Sequence, residues 1–308
     1  MSQPVSPPAC RGRFAPSPTG PLHFGSLVAA VGSHLDARAR GGQWLVRMED
    51  IDESRNVPGV ADTILRTLEA LGMAWDGEVL YQSRRDDIYR AALAILQKRK
   101  LVYPCACSRR EIADSAVGGI DGPVYPGTCR SGLLAGRAAR AERVLTRGAK
   151  IEFTDAIQGK IVHNIERQIG DFVVKRADGA YAYQLAVVTD DAAQGITDIV
   201  RGADLLDSTP RQIFLQQLLG LPTPRYAHLP VAVNVMGEKL SKQTMAAPIS
   251  PENPVAILNA ALTFLGQDAI ADCAPQDTKS FWKRAIAGWR LDRVPRQRTL
   301  HAPALPDN

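Results

Sequence analysis

The sequence predicts an α/β fold built on a parallel sheet, with an inserted segment in its middle and a short helical C-terminal part. Three observations lead there. Short apolar strands alternate with amphipathic helices over residues 11–100, the alternation returns after Phe172, and a turn rich in proline and glycine, Pro16–Gly25, joins the first strand to the first helix. Strands alternating with helices of this length imply βαβ units, whose crossovers place the strands parallel.

After a loose tail of residues 1–10, the first strand is read at Arg11–Ala15. A helix follows over Phe24–Arg40, where Leu27, Val28, Val31 and Leu35 recur at helical spacing and Gly41-Gly42 ends the run. Gln43–Met48, with Trp44, Leu45 and Val46, reads as the second strand. Val60, Ile64, Leu65, Leu68 and Leu71 form the stripe of a second helix closed by Gly72; Ile88, Ala92, Ile95 and Leu96 form that of a third over Arg84–Lys100. The pattern changes after Tyr103. Residues 105–170 carry three cysteines, Gly/Pro turns, a basic stretch expected to be helical and short β-like runs such as Lys150–Phe153, and are read as an insertion packed on the sheet. The α/β character resumes with strands at Phe172–Lys175 and Ile196–Arg201, a helix over Tyr183–Asp191, and a helix over Thr209–Leu219 with Thr209 as N-cap and Pro210 at its first position. The chain then divides into residues 1–104 and 171–245 as two halves of one domain, 105–170 as the insertion, and 246–308 as a short basic C-terminal region.

With 308 residues and 45% hydrophobic content, the chain can bury a sizeable core in one or two domains. No apolar run approaches the ~18 residues of a membrane span, and the N-terminus lacks a hydrophobic signal core. A soluble, cytoplasmic protein with reduced thiols is expected, and no membrane partner. The formal charge is +5, and its distribution says more than its size. Residues 130–150 hold six basic residues against Glu142, and residues 279–298 hold seven against Asp292. Either patch alone reads equally well as a solvated helix face; two of them beside nucleotide chemistry favour a nucleic-acid partner.

That chemistry comes from two segments. Pro16-Ser-Pro-Thr-Gly-Pro-Leu-His-Phe-Gly25 ends a strand, turns tightly and starts a helix. Free N–H groups and the positive dipole end at a helix start suit phosphate. His23 can donate to phosphate oxygens, and Gly25 lets a flat ring or a phosphate approach the backbone. The turn is neither a P-loop nor a G-x-G-x-x-G fingerprint. Far downstream, Gly237-Glu-Lys-Leu-Ser-Lys-Gln-Thr244 sets Lys239 and Lys242 around Leu240-Ser241. Two lysines closing over a triphosphate stabilise the charge that develops at the α-phosphate and on departing pyrophosphate. Alone, Lys-Leu-Ser-Lys is a trivial match that reads as an exposed loop; its pairing with the first turn gives it weight.

Together the two segments resemble the HIGH and KMSKS motifs of class I aminoacyl-tRNA synthetases. More narrowly, Arg13-Phe-Ala-Pro-Ser-Pro-Thr-Gly-Pro-Leu-His-Phe-Gly25 and Arg47-Met-Glu-Asp-Ile-Asp-Glu-Ser-Arg55 resemble the glutamyl-tRNA synthetases, a likeness running from about Arg13 to Thr244. The resemblance implies a Rossmann-like catalytic domain and a ligase that activates L-glutamate with ATP and Mg²⁺ to glutamyl-adenylate, expelling pyrophosphate. It implies catalytic roles for His23, Lys239 and Lys242, and ATP contacts from His23, Gly25 and Lys242. It puts Arg13, Phe14, Ala15, Pro16, Ser17, Glu49, Tyr183 and Arg201 in the glutamate site. The residue types fit. Arginine clamps carboxylates bidentately, and Arg201 ends a strand where ligands of open α/β sheets gather. Glu49 suits the ammonium, and Tyr183 can hydrogen-bond a carboxylate. Without this context Arg47, Glu49, Asp50, Asp52 and Arg55 would pass for a surface ion-pair cluster; Asp50 and Asp52 are read as orienting the arginines. The second motif departs from the family pattern at Leu240 and Gln243, neither of which changes charge.

Of the five cysteines, Cys105, Cys107 and Cys129 cluster across a turn-rich loop that contains Tyr125, while Cys10 and Cys273 are read as bystanders. Three thiolates want a fourth donor for a structural zinc, which can be Tyr125, a water or an acid. The resemblance implies Tyr125, hence one Zn²⁺ bracing the insertion that receives the tRNA or nucleotide end. Only 66 residues follow Lys242, too few for the helical anticodon-binding region of full-length glutamyl synthetases, so the chain looks like the truncated glutamyl-Q branch. That likeness implies glutamate activation without tRNA, transfer to the queuosine base at the anticodon wobble position of tRNA(Asp), and a monomer. Three other readings compete. One is a truncated synthetase serving another acceptor. A nucleotidylyltransferase acting on another acid is opposed by Arg13, Glu49, Tyr183 and Arg201. A zinc-braced RNA-binding module without activity is opposed by the presence of His23, Lys242 and Glu49.

Overall fold

The computed structural model describes residues 10–304 apart from 116, 121 and 241–246. The first half runs β1 (Arg11–Phe14), α1 (Phe24–Ala39), β2 (Gln43–Met48), α2 (Val60–Ala70), β3 (Leu80–Tyr81) and α3 (Asp86–Lys98). The middle segment holds β4 (Val102–Cys105), α4 (Arg109–Ser115), β5 (Gly118–Gly119), β6 (Gly122–Pro123), β7 (Ala141–Val144), β8 (Lys150–Asp155), β9 (Gly159–Asn164), α5 (Ile165–Gln168) and β10 (Val173–Lys175). Then come α6 (Tyr183–Ala193), β11 (Asp198–Gly202), α7 (Thr209–Leu219), β12 (Arg225–Leu229), β13 (Val231–Val233), α8 (Pro254–Phe264), α9 (Thr278–Gly288) and β14 (Thr299–His301).

The expected parallel α/β sheet is present. β1, β2 and β3 pair in parallel, as do β11 and β12. The Thr197 N–H donates to the Arg11 carbonyl at 3.0 Å, which brings β11 against the free edge of β1. Successive side chains of a strand point to opposite faces, and this decides where the site forms. Phe14, Trp44, Val46, Met48, Val200, Ala227 and Leu229 pack on one face with α1, α8 and α9. Leu45, Ile199 and Tyr226 pack on the other, with α3, α6 and α7. Arg13, Arg47, Arg201 and His228 occupy the same alternation class as this second set, so all four project toward α6 and α7.

Several expectations need correction. The third helix begins at Asp86, because Gln82–Arg84 forms a 3-10 turn. β3 has only two residues, too short for any periodic signal. The strand expected at Phe172–Lys175 forms as Val173–Lys175, but it pairs antiparallel with β7, which also pairs with β4, instead of joining the parallel sheet. The basic stretch at 130–150 is not helical: Gly132, Gly136 and Gly148 adopt positive φ, and Ala141–Val144 is β7. Its cations brace the segment instead. Arg130 bonds both oxygens of buried Asp171, and Arg137 bonds Glu111. Thr209 lies inside α7 with Ser208 at the cap position, its hydroxyl donating back to the Leu205 carbonyl at 3.1 Å. Among the described residues no helix is long and apolar enough to cross a membrane.

At Gly42 the turn from α1 into β2 has no spare space. A Cβ at Gly42 would lie 2.3 Å from the Cys10 carbonyl oxygen, the acceptor that registers Gln43 against β1. Gly42→Ala is therefore expected to cost about 1–3 kcal/mol by overpacking against backbone. Gly77→Ala, at φ +68° with nothing within 4 Å, should cost only about 1 kcal/mol of backbone strain. Urea unfolding of the two variants checks the order.

Candidate active site

A cleft of about 950 Å³ opens at the C-terminal ends of β1, β2, β11 and β12, the place where ligands of open α/β sheets bind. Of the residues expected in a glutamate site, Arg13, Phe14, Ala15, Pro16, Ser17, Glu49, Tyr183 and Arg201 all line it, as do His23, Gly25 and Lys239. The turn after β1 is pinned from the backbone. The Glu49 N–H donates to the Pro16 carbonyl at 2.9 Å, and the Val57 N–H to the Pro18 carbonyl at 3.0 Å. The end of β2 and the loop after it thus fix the turn's path.

Beneath the cleft two arginines share one carboxylate. Arg13 Nε lies 3.1 Å and Arg47 Nη1 lies 2.8 Å from Asp191 Oδ1. Arg47 is fully buried, so the cluster around it is not a surface one; its Nη1 also donates to Gln194 Oε1 at 2.8 Å and its Nη2 to Glu49 Oε1 at 3.2 Å. Burial raises the Asp191 carboxyl, but Arg13 and Arg47 overcome this and hold it below its ordinary value. For Glu49 burial wins, and its pKa rises despite Arg47 and Arg13. Burial, followed by the negative field of Glu49, pushes Tyr183 up to about 12, so its phenol stays protonated and able to donate.

Arg201 is held on three of its sides. Its Nε donates to His228 Nε2 at 3.1 Å, and its Nη2 to Thr209 Oγ1 at 2.9 Å and Gln212 Oε1 at 2.7 Å. Among the described residues its buried Nη1 has no partner. Asp50 and Asp52 stand apart from the arginine pair. Asp50 accepts from the Ser83 N–H and hydroxyl at 2.8 and 2.6 Å, and Asp52 accepts from Arg176 at the mouth of the cleft at 3.0 Å. Arg55 lines the same mouth.

His23 caps α1. Its Nδ1 accepts the Ser26 N–H across a long 3.4 Å, while the Ser26 hydroxyl donates to the His23 carbonyl at 2.7 Å. With Nδ1 accepting, the neutral ring carries its proton on Nε2, the nitrogen able to donate to phosphate. A Cβ on Gly25 would press on that ring at 3.2 Å and face the Leu240 carbonyl at 3.6 Å. The second motif therefore starts against the first. Lys239 bonds Asp204 at 2.5 Å. The Ile249 N–H donates to the Leu22 carbonyl at 2.9 Å, tying the chain beyond the motif to the turn. Lys242, with Ser241, Gln243 and Thr244, lies outside the described residues.

The cysteine cluster is assembled. The sulfurs of Cys105, Cys107 and Cys129 lie within 4.8 Å of one another and can hold a metal ion. The Tyr125 hydroxyl lies 3.4 Å from Cys105 Sγ and 3.6 Å from Cys107 Sγ, and accepts the Cys129 N–H at 2.9 Å. Arg143 stacks on the Tyr125 ring, 4.0 Å from its centroid. Cys10 is buried in the main core, and Cys273 packs against it.

Sequence reasoning missed Asp191, Gln82, Asp155 and His228. Gln82, almost fully buried, lines the cleft, donates to Asp190 at 2.8 Å and leaves its Oε1 without a partner among the described residues. One signal was available: Thr-Asp-Asp at 189–191 sits in an otherwise apolar helix, and buried acids demand partners.

The family described as tRNA synthetases class I (E and Q), catalytic domain, matches residues 9–252. Over 296 residues the chain is 59% identical to a glutamyl-Q tRNA(Asp) synthetase of Dechloromonas aromatica, covering 96% of this chain and 98% of that one. It is 58% identical to one of Aromatoleum aromaticum, with 95% and 92% covered. The crystal structure of glutamate-tRNA synthetase from Elizabethkingia anophelis superposes with a TM-score of 0.80 at 26% identity, covering 96% of this chain and 68% of that one. A glutamate tRNA ligase from Elizabethkingia meningosepticum, solved in complex with its amino acid, gives 0.78 at 26% identity, with 96% and 67% covered.

The shared carboxylate makes a testable claim on stability. Asp191→Asn leaves two buried cations facing a neutral amide and should cost about 3–5 kcal/mol. Because the folded-state pKa of Asp191 is depressed, its contribution is present above the unfolded value of about 4 and is lost as the pH falls through the folded value. Denaturant titrations of wild type and variant should therefore converge on acidification below that range.

Proposed function

The chain belongs to the glutamyl-Q tRNA(Asp) synthetases, within the class I (E and Q) tRNA synthetases, and from that premise we propose that it activates L-glutamate with ATP in the absence of tRNA and then transfers the glutamyl group to the queuosine base at the anticodon wobble position of tRNA(Asp). One observation carries the amino-acid assignment: two arginines and one glutamate, Arg13, Arg201 and Glu49, converge on a single cleft. Free glutamate presents the complementary set, two carboxylates and one ammonium. Arg201 offers a buried Nη1 to a carboxylate, Tyr183 adds a phenolic donor, and Glu49 takes the ammonium. Arg13, anchored by Asp191, supplies the second positive centre, and Phe14 to Ser17 form the wall between amino acid and nucleotide.

In the first step a carboxylate oxygen of glutamate attacks the α-phosphorus of ATP, and the bond to the pyrophosphate oxygen breaks. Reactant positioning and stabilisation of developing charge carry the step, with no protein nucleophile. His23 donates from Nε2 to the phosphates at the start of α1, where the helix N-terminus adds its dipole. Lys239, and Lys242 from its loop, meet the charge on the departing pyrophosphate. Mg²⁺ bound with ATP would neutralise phosphate charge further. In the second step a hydroxyl of the acceptor base attacks the acyl carbon, and AMP leaves with the bonding electrons, its phosphate able to take up the hydroxyl proton.

We assign the cysteine cluster to one structural Zn²⁺ held by Cys105, Cys107, Cys129 and Tyr125. Tetrahedral zinc with bonds of about 2.3 Å to sulfur and about 2.0 Å to oxygen separates sulfurs by about 3.8 Å and oxygen from sulfur by about 3.5 Å. The separations of 3.6 Å between Cys107 and Cys129 and of 3.4 and 3.6 Å to the tyrosine oxygen fit that frame. The ion would brace the middle segment and take no part in the chemistry.

Glutamate-dependent ATP–pyrophosphate exchange without tRNA tests the activation step; labelled glutamate should then pass to tRNA(Asp) bearing queuosine and not to tRNA lacking it. An absolute requirement for tRNA(Glu) in the exchange would overturn the reading. Lys242→Ala should slow exchange by roughly a hundredfold, the scale of one lost charge-stabilising donor. Protein purified without chelator should contain about one equivalent of zinc by elemental analysis, and Tyr125→Phe should release it at lower chelator concentration.

A further inference from the structure

The middle segment reaches the glutamate cleft from behind. Asp155, at the end of β8, is fully buried and bonds His228 on β12, with Oδ2 2.6 Å from Nδ1. The neighbouring Ala156 N–H donates to the Tyr226 carbonyl at 2.9 Å, which locks the hairpin onto β12. His228 is the registered cross-strand neighbour of Arg201, and its Nε2 receives the Arg201 Nε–H. A guanidinium has only donors. His228 Nε2 can therefore accept from Arg201 only when the imidazole is neutral and its proton sits on Nδ1, facing Asp155.

We propose that Asp155 and His228 are positioning residues that fix the imidazole tautomer, and through it aim the unpartnered Nη1 of Arg201 at a substrate carboxylate, so that a pair outside the cleft sets glutamate affinity. This rests on the reading of Arg201 as a carboxylate clamp. Three observations support it. Asp155 Oδ1 accepts the backbone N–H groups of Ile157, Gln158 and His228 at 3.0, 2.8 and 3.1 Å, so the carboxylate cannot rotate away from the ring. Burial lowers the His228 pKa to about 4, against the pull of Asp155, which keeps the ring neutral. With His228, Thr209 and Gln212 holding Nε and Nη2, Nη1 is the remaining corner of the guanidinium, buried and without a partner among the described residues, in a residue that lines the cleft.

Asp155→Asn isolates the tautomer. The amide oxygen must stay where Oδ1 accepts three N–H groups, so the amide nitrogen faces Nδ1 and donates to it. The ring proton moves to Nε2, where an N–H meets the Arg201 N–H. In ATP–pyrophosphate exchange the glutamate KM should rise at least about tenfold while the ATP KM stays within about twofold, the loss expected for one buried hydrogen bond turned repulsive. The ¹⁵N spectrum of the imidazole should show the switch from Nδ1–H to Nε2–H. His228→Gln keeps an acceptor for Arg201 and should stay within about threefold of wild type, whereas His228→Leu should match the tenfold loss. Asp155→Asn that switches tautomer yet keeps the wild-type glutamate KM would overturn the proposal, as would a parallel rise in both KM values, or Gln and Leu at position 228 behaving alike. Arg201→Lys separates the two levels. If it leaves the glutamate KM unchanged, the clamp reading itself falls and takes this one with it. If it raises that KM while Asp155→Asn does not, only the positioning role falls.

Discussion

Asp191 pairs with two arginines on the buried face of the parallel sheet, and the cleft above depends on that arrangement. A cation under a sheet is tolerated only when paired and hydrogen-bonded, since stripping its water costs several kcal/mol. Arg13 and Arg47 sit on adjacent parallel strands, in the same alternation class as apolar Leu45, and α6 supplies the one acid that pairs with both. Once paired, neither arginine can swing into solvent. Arg47 then has an Nη2 left over to steady Glu49, and Glu49 is tied through its own N–H to the turn after β1. The cleft wall at Glu49 and the turn after β1 are thus braced by a single set of bonds that begins at one carboxylate.

The same logic repeats on the other half of the sheet. Arg201 is surrounded by a histidine, a threonine and a glutamine, all neutral. Its anionic support, Asp155, stands one residue further back, behind His228. The two halves therefore solve the buried-cation problem differently: by direct ion pairing beneath β1 and β2, and by a polarised neutral relay beneath β11 and β12. The second arrangement leaves the arginine charge less neutralised at close range, which suits the carboxylate-binding role proposed for it.

How much of this was legible in the sequence follows from range. Strands at Arg11–Phe14 and Gln43–Met48 and helices at Val60–Ala70 and Thr209–Leu219 declare themselves through local periodicity and punctuation, and the two nucleotide segments through fixed local patterns. As cleft-lining positions, Arg13 and Glu49 were reachable through those segments, and Tyr183 and Arg201 through the family resemblance and their places at element ends. The partners of Asp191, Asp155 and His228 were not reachable, because they lie 178, 73 and 27 residues away, and no window of sequence contains both members. The strand at Val173–Lys175 fails for the same reason: its residues say that it is a strand, while its neighbour is chosen by the sheet that folds around the cysteine cluster. The basic run at 130–150 misleads in another way. Its composition resembles a solvated helix, yet Gly132, Gly136 and Gly148 break it, and Arg130 and Arg143 are spent on internal bonds.

The strand that leads into the second motif has an unusual neighbour. β13 pairs in parallel with β14, and the Ala302 N–H donates to the Val233 carbonyl at 2.8 Å. On the ribosome, synthesis proceeds from the N-terminus, and pairings distant in sequence close last. The segment bearing Lys239 thus gains its flanking strand only after almost every other described element has been made. A nascent chain can thus complete the arginine face, and the cysteine cluster with it, while the segment bearing Lys239 still waits for its neighbour, so this corner of the fold closes late in the protein's birth.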